Sequence, residues 1–264
     1  MSSLTTSKTP VNHGGTGSGR IAGWGLTVQM ALLRVGIDSG SGGIQGPLFH
    51  DGTFEFIPIP DDAEVGKDTY GNTRGRYGRA LVEYFPERRW ATASQRPMHV
   101  DPEFEAFTYG DPTKPKRGLR NLKKGDVLAF YAGLEGWDFH CPPALYIVGY
   151  FVVEAAGLAS DFDPVKLREV FGSNFHVKHL SVFARDRKTL VLVKGGSGSR
   201  LLKYAHCISC VGHDCDGRPL KVLSKQAIGI FGDFGGRISI QRSPPRWVAD
   251  EFVPRALKHL SALT

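Results

Sequence analysis

The sequence predicts a β-rich α+β domain, and three observations carry that prediction. Thirty-three glycines and 16 prolines in 264 residues favour many short elements joined by turns over long helices. Two apolar runs, residues 127–131 and 145–153, are rich in β-branched and aromatic side chains and read as buried strands. Before the C-terminal segment, helical patterns are confined to brief segments between such runs. The length suits one large domain or two small ones, and a single domain over residues 30–264 is the expectation.

Taken in order, residues 1–29 are rich in Ser, Thr and Gly without a sustained period, so a disordered tail is expected. A strand over 32–37 leads into a Gly/Ser loop at 38–43, and the turn His50-Asp51-Gly52 precedes a second strand at 53–59. A short helix is expected at 79–84. Residues 86–121 mix prolines, charges and aromatics, which reads as a long loop, either functional or partly disordered. Lys123-Lys124-Gly125-Asp126 is a turn that opens the first central strand. Asp163 as cap and Pro164 in the first turn mark a helix at Pro164–Phe171. Strands are expected at 181–183 and 189–194, joined by the charged turn 184–188, and again at 200–204 after a Gly/Ser loop at 195–199. An amphipathic helix over 247–260 closes the chain.

No run approaches the ~20 apolar residues that cross a bilayer, and the first 29 residues lack the apolar segment of a secretory signal, so a soluble, cytoplasmic protein is expected. Three of the four cysteines crowd between 207 and 215, unlike the spaced framework of a disulfide-stapled secreted domain. A net charge of +7 permits a polyanionic partner without specifying one, since a merely soluble surface carries the same charge.

Several constellations offer chemistry. Asp38, Ser39, Gly40, Ser41, Gly42 and Gly43 follow an apolar strand, where main-chain N–H groups can approach an anion or a base edge; the same glycines also suit a tight turn that needs positive φ. The loop lacks both the Gly-Lys-Ser/Thr ending of a phosphate-binding loop and the third glycine of a dinucleotide fingerprint. A second glycine loop lies between Lys194 and Arg200, which suits a phosphate or a plain hairpin tip. Cys207, Cys210, His213 and Cys215 offer soft ligands, but four ligands within nine residues would need a very tight loop, so no metal is assigned. Clusters of cations interleaved with aromatics, around Arg74, Arg88, Arg117 and Arg246, suit a nucleic acid if the fold gathers them on one face. No hydrolase, metalloprotease or deaminase motif is present, and no cofactor is expected. Asp38, Asp101, Glu103 and His140 are acid/base candidates only if the fold brings them together.

The segments LLRVGIDSGSGG, FEFIPIPD, FTYGDPTKPKRGLRNLKKGDVLAFYAGLEGW, ALYIVGYFVV and IQRSPPRW together resemble the third of the nucleotide modification associated domain families, over residues 31 to about 250. That resemblance implies a bacterial or archaeal protein linked to hypermodified DNA bases. More distantly, GDVLAFYAG and YIVGYFVV resemble the central strands of PUA-like barrels, including EVE and ASCH domains. This second resemblance implies a barrel elaborated with helices and a long basic loop, and a pocket that takes up a base, modified or flipped. Residues 36–43 would line one side of it, and Tyr131, Trp137 and His140 the other. The chain departs from such barrels in its length, its cysteine cluster and its tail.

The resulting expectation is a protein that engages nucleic acid, DNA above all, or a nucleotide, with Arg117, Arg120, Lys194, Arg200, Arg242 and Arg246 on phosphates. Its rivals are an enzyme acting on modified bases or nucleotides, with Asp38 or His140 as acid/base, and a protein-interaction module. The sequence does not specify the oligomeric state.

Overall fold

The computed structural model describes residues 28–240 and 244–263. In chain order the strands are β1 (Met30–Arg34), β2 (Gly46–Leu48), β3 (Ile59–Pro60), β4 (Met98–His99), β5 (Thr108–Asp111), β6 (Val127–Gly136), β7 (Ala144–Leu158), β8 (Val191–Gly195), β9 (Arg200–Cys207), β10 (Ser209–His213), β11 (Pro219–Leu223) and β12 (Arg246–Trp247). The helices are α1 (Trp90–Ala93), α2 (Pro164–Phe171), α3 (Phe175–Lys178), α4 (Leu180–Asp186), α5 (Lys225–Phe231) and α6 (Val253–Ser261).

β6 and β7 pair antiparallel and form the spine of an eight-stranded mixed sheet. The first eight residues of β6 are all buried, so the strand is apolar on both faces rather than alternating. Along its free edge β6 carries two parallel strands in succession, β1 opposite its first half and β2 opposite its end. β7 likewise serves two antiparallel partners, β9 opposite 146–150 and β8 opposite 153–158, with one register shift inside each pairing, at 147/149 and 153/155. The sheet runs β12-β1-β6-β7-β8-β5 and its ends do not meet. The expected barrel is therefore replaced by an open mixed α/β sheet. The strands at its two ends, β12 and β5, do not pair with each other, so the hydrogen-bonded ring a barrel needs is not closed.

The main core joins this sheet to α5 and α6 through Phe130, Phe151, Phe231, Ala256 and Leu260. The rings of Phe130 and Phe151, both fully buried, meet edge to face at 4.6 Å; truncating either costs about 3–5 kcal/mol. A satellite cluster of Ile37, Ile57, Tyr70, Leu81, Phe85 and Met98 organises residues 57–98, and a third packs α2 and α3 on β8.

Several local expectations hold. Asp163 caps α2, accepting from the N–H groups of Val165 and Lys166 at 2.9 and 3.1 Å. Asp126 closes the turn before β6, its carboxylate accepting from the N–H groups of Lys123 and Gln29. Others are corrected. Residues 53–59 form only isolated bridges and the first residue of β3, because Pro58 and Pro60 remove donors a ladder needs. The helix at 79–84 is a single 3-10 turn, Leu81–Tyr84. Residues 86–121 are folded: they supply α1, β4, β5 and a 3-10 helix at Lys114–Asn121, with β5 paired to β8 across more than 80 residues of sequence. Residues 181–183 lie in α4. The last helix starts at Val253, with Pro254 in its first turn, and Trp247 instead pairs with Ala31 in the sheet. The expected tail, up to residue 27, lies outside the described residues. No helix among the described residues is long and apolar enough to cross a membrane.

Candidate functional site

Because β1 and β2 both pair with β6, the chain between them must leave the sheet and return to the same edge. It does so as the Gly/Ser loop. Asp38 closes this excursion: its Oδ1 accepts from the N–H groups of Gly40 and Ser41 at 2.9 and 2.7 Å, and its carbonyl accepts from Gly43 at 2.9 Å. Those amides face inward, so the loop does not present them as an anion nest. Gly42 has φ +105°, and a Cβ there would lie 2.4 Å from Ile37, which ties this glycine to loop closure.

Oδ2 of Asp38 meets Arg34 Nη2 at 3.3 Å, and both side chains are almost fully enclosed. Beneath them lies Gly133 of β6, where a Cβ would stand 2.1 Å from Gln45 Oε1 and 3.0 Å from Arg34 Nη2. The missing side chain thus makes room for Arg34 and Gln45 over the strand. These groups floor a cavity of about 720 Å³, roofed by Pro142, Pro143 and the β10–β11 hairpin with Leu220 and Lys221. Gln45 Oε1 is enclosed and has no hydrogen-bond partner among the described residues. Burial first, then the like charge of Arg34, holds the Lys221 ammonium below its ordinary value. The cavity thus combines apolar walls with a carboxylate, an amide and two cations, and its size falls within the roughly 300–1,000 Å³ of small-molecule sites.

The sequence-predicted residues divide around this cavity. Asp38, Ser39, Gly40 and Ser41 line it, whereas Gly42 and Gly43 shape the loop behind it, the carbonyl of Gly42 accepting from Arg89 at 2.7 Å. Tyr131 is 1% exposed in the main core. The main-chain N–H of Trp137 donates to the Leu48 carbonyl, and its ring meets Tyr84 edge to face at 5.2 Å, so the aromatic loop folds back over β2 away from the cavity lining. His140 is exposed beyond it. Lys194 donates to the Ala106 carbonyl, Arg200 lies over the Tyr150 ring in a groove beneath α6, and Arg246 donates to Ser239. Arg117 and Arg120 are exposed on the 3-10 helix, and Arg242 lies outside the described residues. Arg34, Gln45 and Lys221 went unpredicted because each is a lone polar residue in or beside a strand, Arg34 and Gln45 flanking the loop and Lys221 reaching it from β11, far along the chain.

The acid/base candidates are likewise dispersed. Glu103 caps its own turn through the N–H of Ala106, whereas Asp101 meets two histidines that the sequence had not singled out. Among the described residues, His99, Asp101 and His176 are the group of three such side chains that can hold a metal ion, with ligand atoms within 4.8 Å of one another; Cys207, Cys210, His213 and Cys215 do not converge in this way. Both Nε2 atoms stand 3.9 Å from Asp101 Oδ2. Burial raises the Asp101 carboxyl and lowers the His176 imidazole, while the Arg185 hydrogen bonds hold Asp186 below the usual carboxylate range.

The architecture is an α/β domain with an open mixed sheet and a polar cavity at the edge of its central strand. The sequence model of nucleotide modification associated domain 3 matches residues 29–258, and the chain belongs to that family. No curated protein and no solved structure matches it.

Proposed function

We propose that this domain recognises a nucleobase, carried by a nucleotide or extruded from DNA, in the cavity between the Gly/Ser loop and the β10–β11 hairpin. The observation that carries the reading is the buried Arg34–Asp38 pair beside the unpartnered Gln45 oxygen on the floor of a cavity walled by prolines and leucine. A base is a flat apolar body with a hydrogen-bonding edge. Pro142, Pro143 and Leu220 suit its faces, and Arg34, Asp38 and, once its enclosed amide turns toward the cavity, Gln45 suit its edge. Lys221 provides a cation for an attached phosphate at the rim. Membership of a nucleotide-modification family supports a ligand of this chemistry and extends the proposal to bases bearing hydroxymethyl or larger substituents in base-hypermodification systems.

Fluorescence anisotropy with matched oligonucleotides, canonical and carrying 5-hydroxymethylpyrimidines, at two salt concentrations tests the reading. Base recognition predicts a preference for one oligonucleotide that survives added salt, because contacts to base edges release no counterions. Equal binding that salt abolishes for both would reduce the interaction to electrostatics and remove the cavity from it.

A further inference from the structure

We propose that His99, Asp101 and His176 bind one divalent first-row transition-metal ion, independently of the nucleobase cavity. The two imidazoles and the carboxylate come from β4, the segment after it, and α3, and point at a common centre. Their spacing is wider than that of a hydrogen-bonded network. A histidine–carboxylate hydrogen bond would hold nitrogen and oxygen at about 2.7–3.2 Å. Both Nε2 atoms instead stand 3.9 Å from Asp101 Oδ2, within the roughly 4.4 Å that two ligands at about 2.2 Å from one ion can span but wider than the ~3.3–3.6 Å of a tetrahedral pair, so a bound ion would draw the three side chains together.

Each ligand is also held in place by its surroundings. Asp186 Oδ2 lies 3.0 Å from His176 Nδ1, and Arg185 binds both oxygens of Asp186 at 2.7 and 3.0 Å. With its Nδ1 proton committed to Asp186, His176 turns the Nε2 lone pair toward Asp101, the arrangement that orients metal-binding imidazoles. The His99 ring stacks on Phe175 at 3.9 Å, and its enclosed Nε2 has no hydrogen-bond partner among the described residues. Asp101 is steadied by the Gly110 N–H at 2.8 Å and by Asn174 Nδ2 at 3.4 Å. Gly110 is needed here, because a Cβ would stand 2.8 Å from Asn174 Oδ1 and 3.2 Å from the His176 ring. Two nitrogens and one oxygen suit Zn²⁺, Fe²⁺, Mn²⁺ or Co²⁺ over Mg²⁺ or Ca²⁺. Three protein ligands leave further coordination positions for water or a substrate.

The test uses the full chain, stripped with chelator and titrated with Co²⁺ while visible absorption is followed, with Zn²⁺ binding measured by calorimetry. One equivalent per chain is expected, with a spectrum free of sulfur charge-transfer bands and a zinc X-ray absorption spectrum showing a nitrogen/oxygen shell. His99→Ala and His176→Ala should abolish stoichiometric binding, and Asp186→Asn, a change to a positioning residue, should weaken it by about 10–100-fold. Replacing Cys207, Cys210 and Cys215 by Ser should leave it unchanged. A parent chain that takes up no stoichiometric Co²⁺, or whose bound zinc shows sulfur neighbours, overturns the proposal whether or not the variants fold. So does full binding retained by the folded His99→Ala/His176→Ala double variant.

Discussion

Arg34 and Asp38 lie 3.3 Å apart with side chains only 7% and 11% exposed, one at the end of β1 and the other at the hinge of the Gly/Ser loop. A buried pair of this kind is weak evidence of net stabilisation, since desolvation offsets the attraction, yet removing one partner strands the other. Asp38→Ala also deprives the Gly40 amide of its side-chain acceptor and leaves the Ser41 amide only the residue-38 carbonyl at 3.1 Å. We expect it to lower the unfolding free energy by about 3–5 kcal/mol in urea denaturation. Asp38→Asn, which keeps the acceptor, should cost less. A change below about 0.5 kcal/mol for Asp38→Ala would show that the pair does not hold the loop.

Gln45 behaves oppositely. Its enclosed oxygen lacks a partner among the described residues, so Gln45→Met removes an unmet polar group and should leave stability equal or slightly higher. Ligand affinity should fall by about 1 kcal/mol, roughly fivefold in Kd, the worth of one hydrogen bond. Calorimetry on the variant and the parent compares the two; unchanged affinity would remove Gln45 from the site.

Gly133→Ala should act on the same floor from below. The added Cβ would collide with Gln45 Oε1 and crowd Arg34, and the flexible end of Gln45 is what gives way. Thermal denaturation should show a small change, while nucleotide affinity falls at least as far as in Gln45→Met.

Trp137 is 41% exposed and packs on Tyr84 outside the cavity lining. Trp137→Ala should cost about 0.5–1.5 kcal/mol of stability for the aromatic pair and leave base binding within about twofold. A loss of tenfold or more in affinity would place the ligand over the aromatic loop instead.

His206 and His259 meet at 4.4 Å between ring centroids, and burial lowers both imidazoles, His206 further through the neighbouring ring. A base whose folded-state value is depressed resists protonation in the folded chain, whereas the unfolded chain takes up the proton at about pH 6.5. Stability associated with the pair is therefore complete above about pH 6.5 and declines as the pH falls below it. Denaturation midpoints between pH 5 and 8 should show this loss, and His259→Gln should reduce it.

What the sequence revealed about the fold was local. The strand cores of β6 and β7, the Asp163 cap of α2 and the Asp126 turn depend on neighbouring residues, and each was legible. Residues 181–183, Ser-Val-Phe, have strand-like composition but lie in α4, whose last residue, Asp186, orients His176; tertiary packing overrides propensity there. The open sheet was hidden because its strand pairing, with β12 and β5 left apart at its ends, is recorded by no run of residues. The candidate cavity was half legible, through the Gly/Ser loop. Its other wall arrives from residues more than 90 positions later, and the residues pairing with Asp101 in the metal cluster come from both a presumed loop and α3.

The most direct test of the nucleobase site is a titration of the isotope-labelled chain with deoxycytidine monophosphate and its 5-hydroxymethyl derivative, followed by amide chemical shifts. Shifts are expected at Ser39, Gln45, Lys221 and Val211, the last lining the cavity from β10, that saturate together with one Kd and weaken in Gln45→Met. Shifts confined to the groove of Arg200, Arg255 and Lys258 beneath α6, or no shifts at all, would contradict that site.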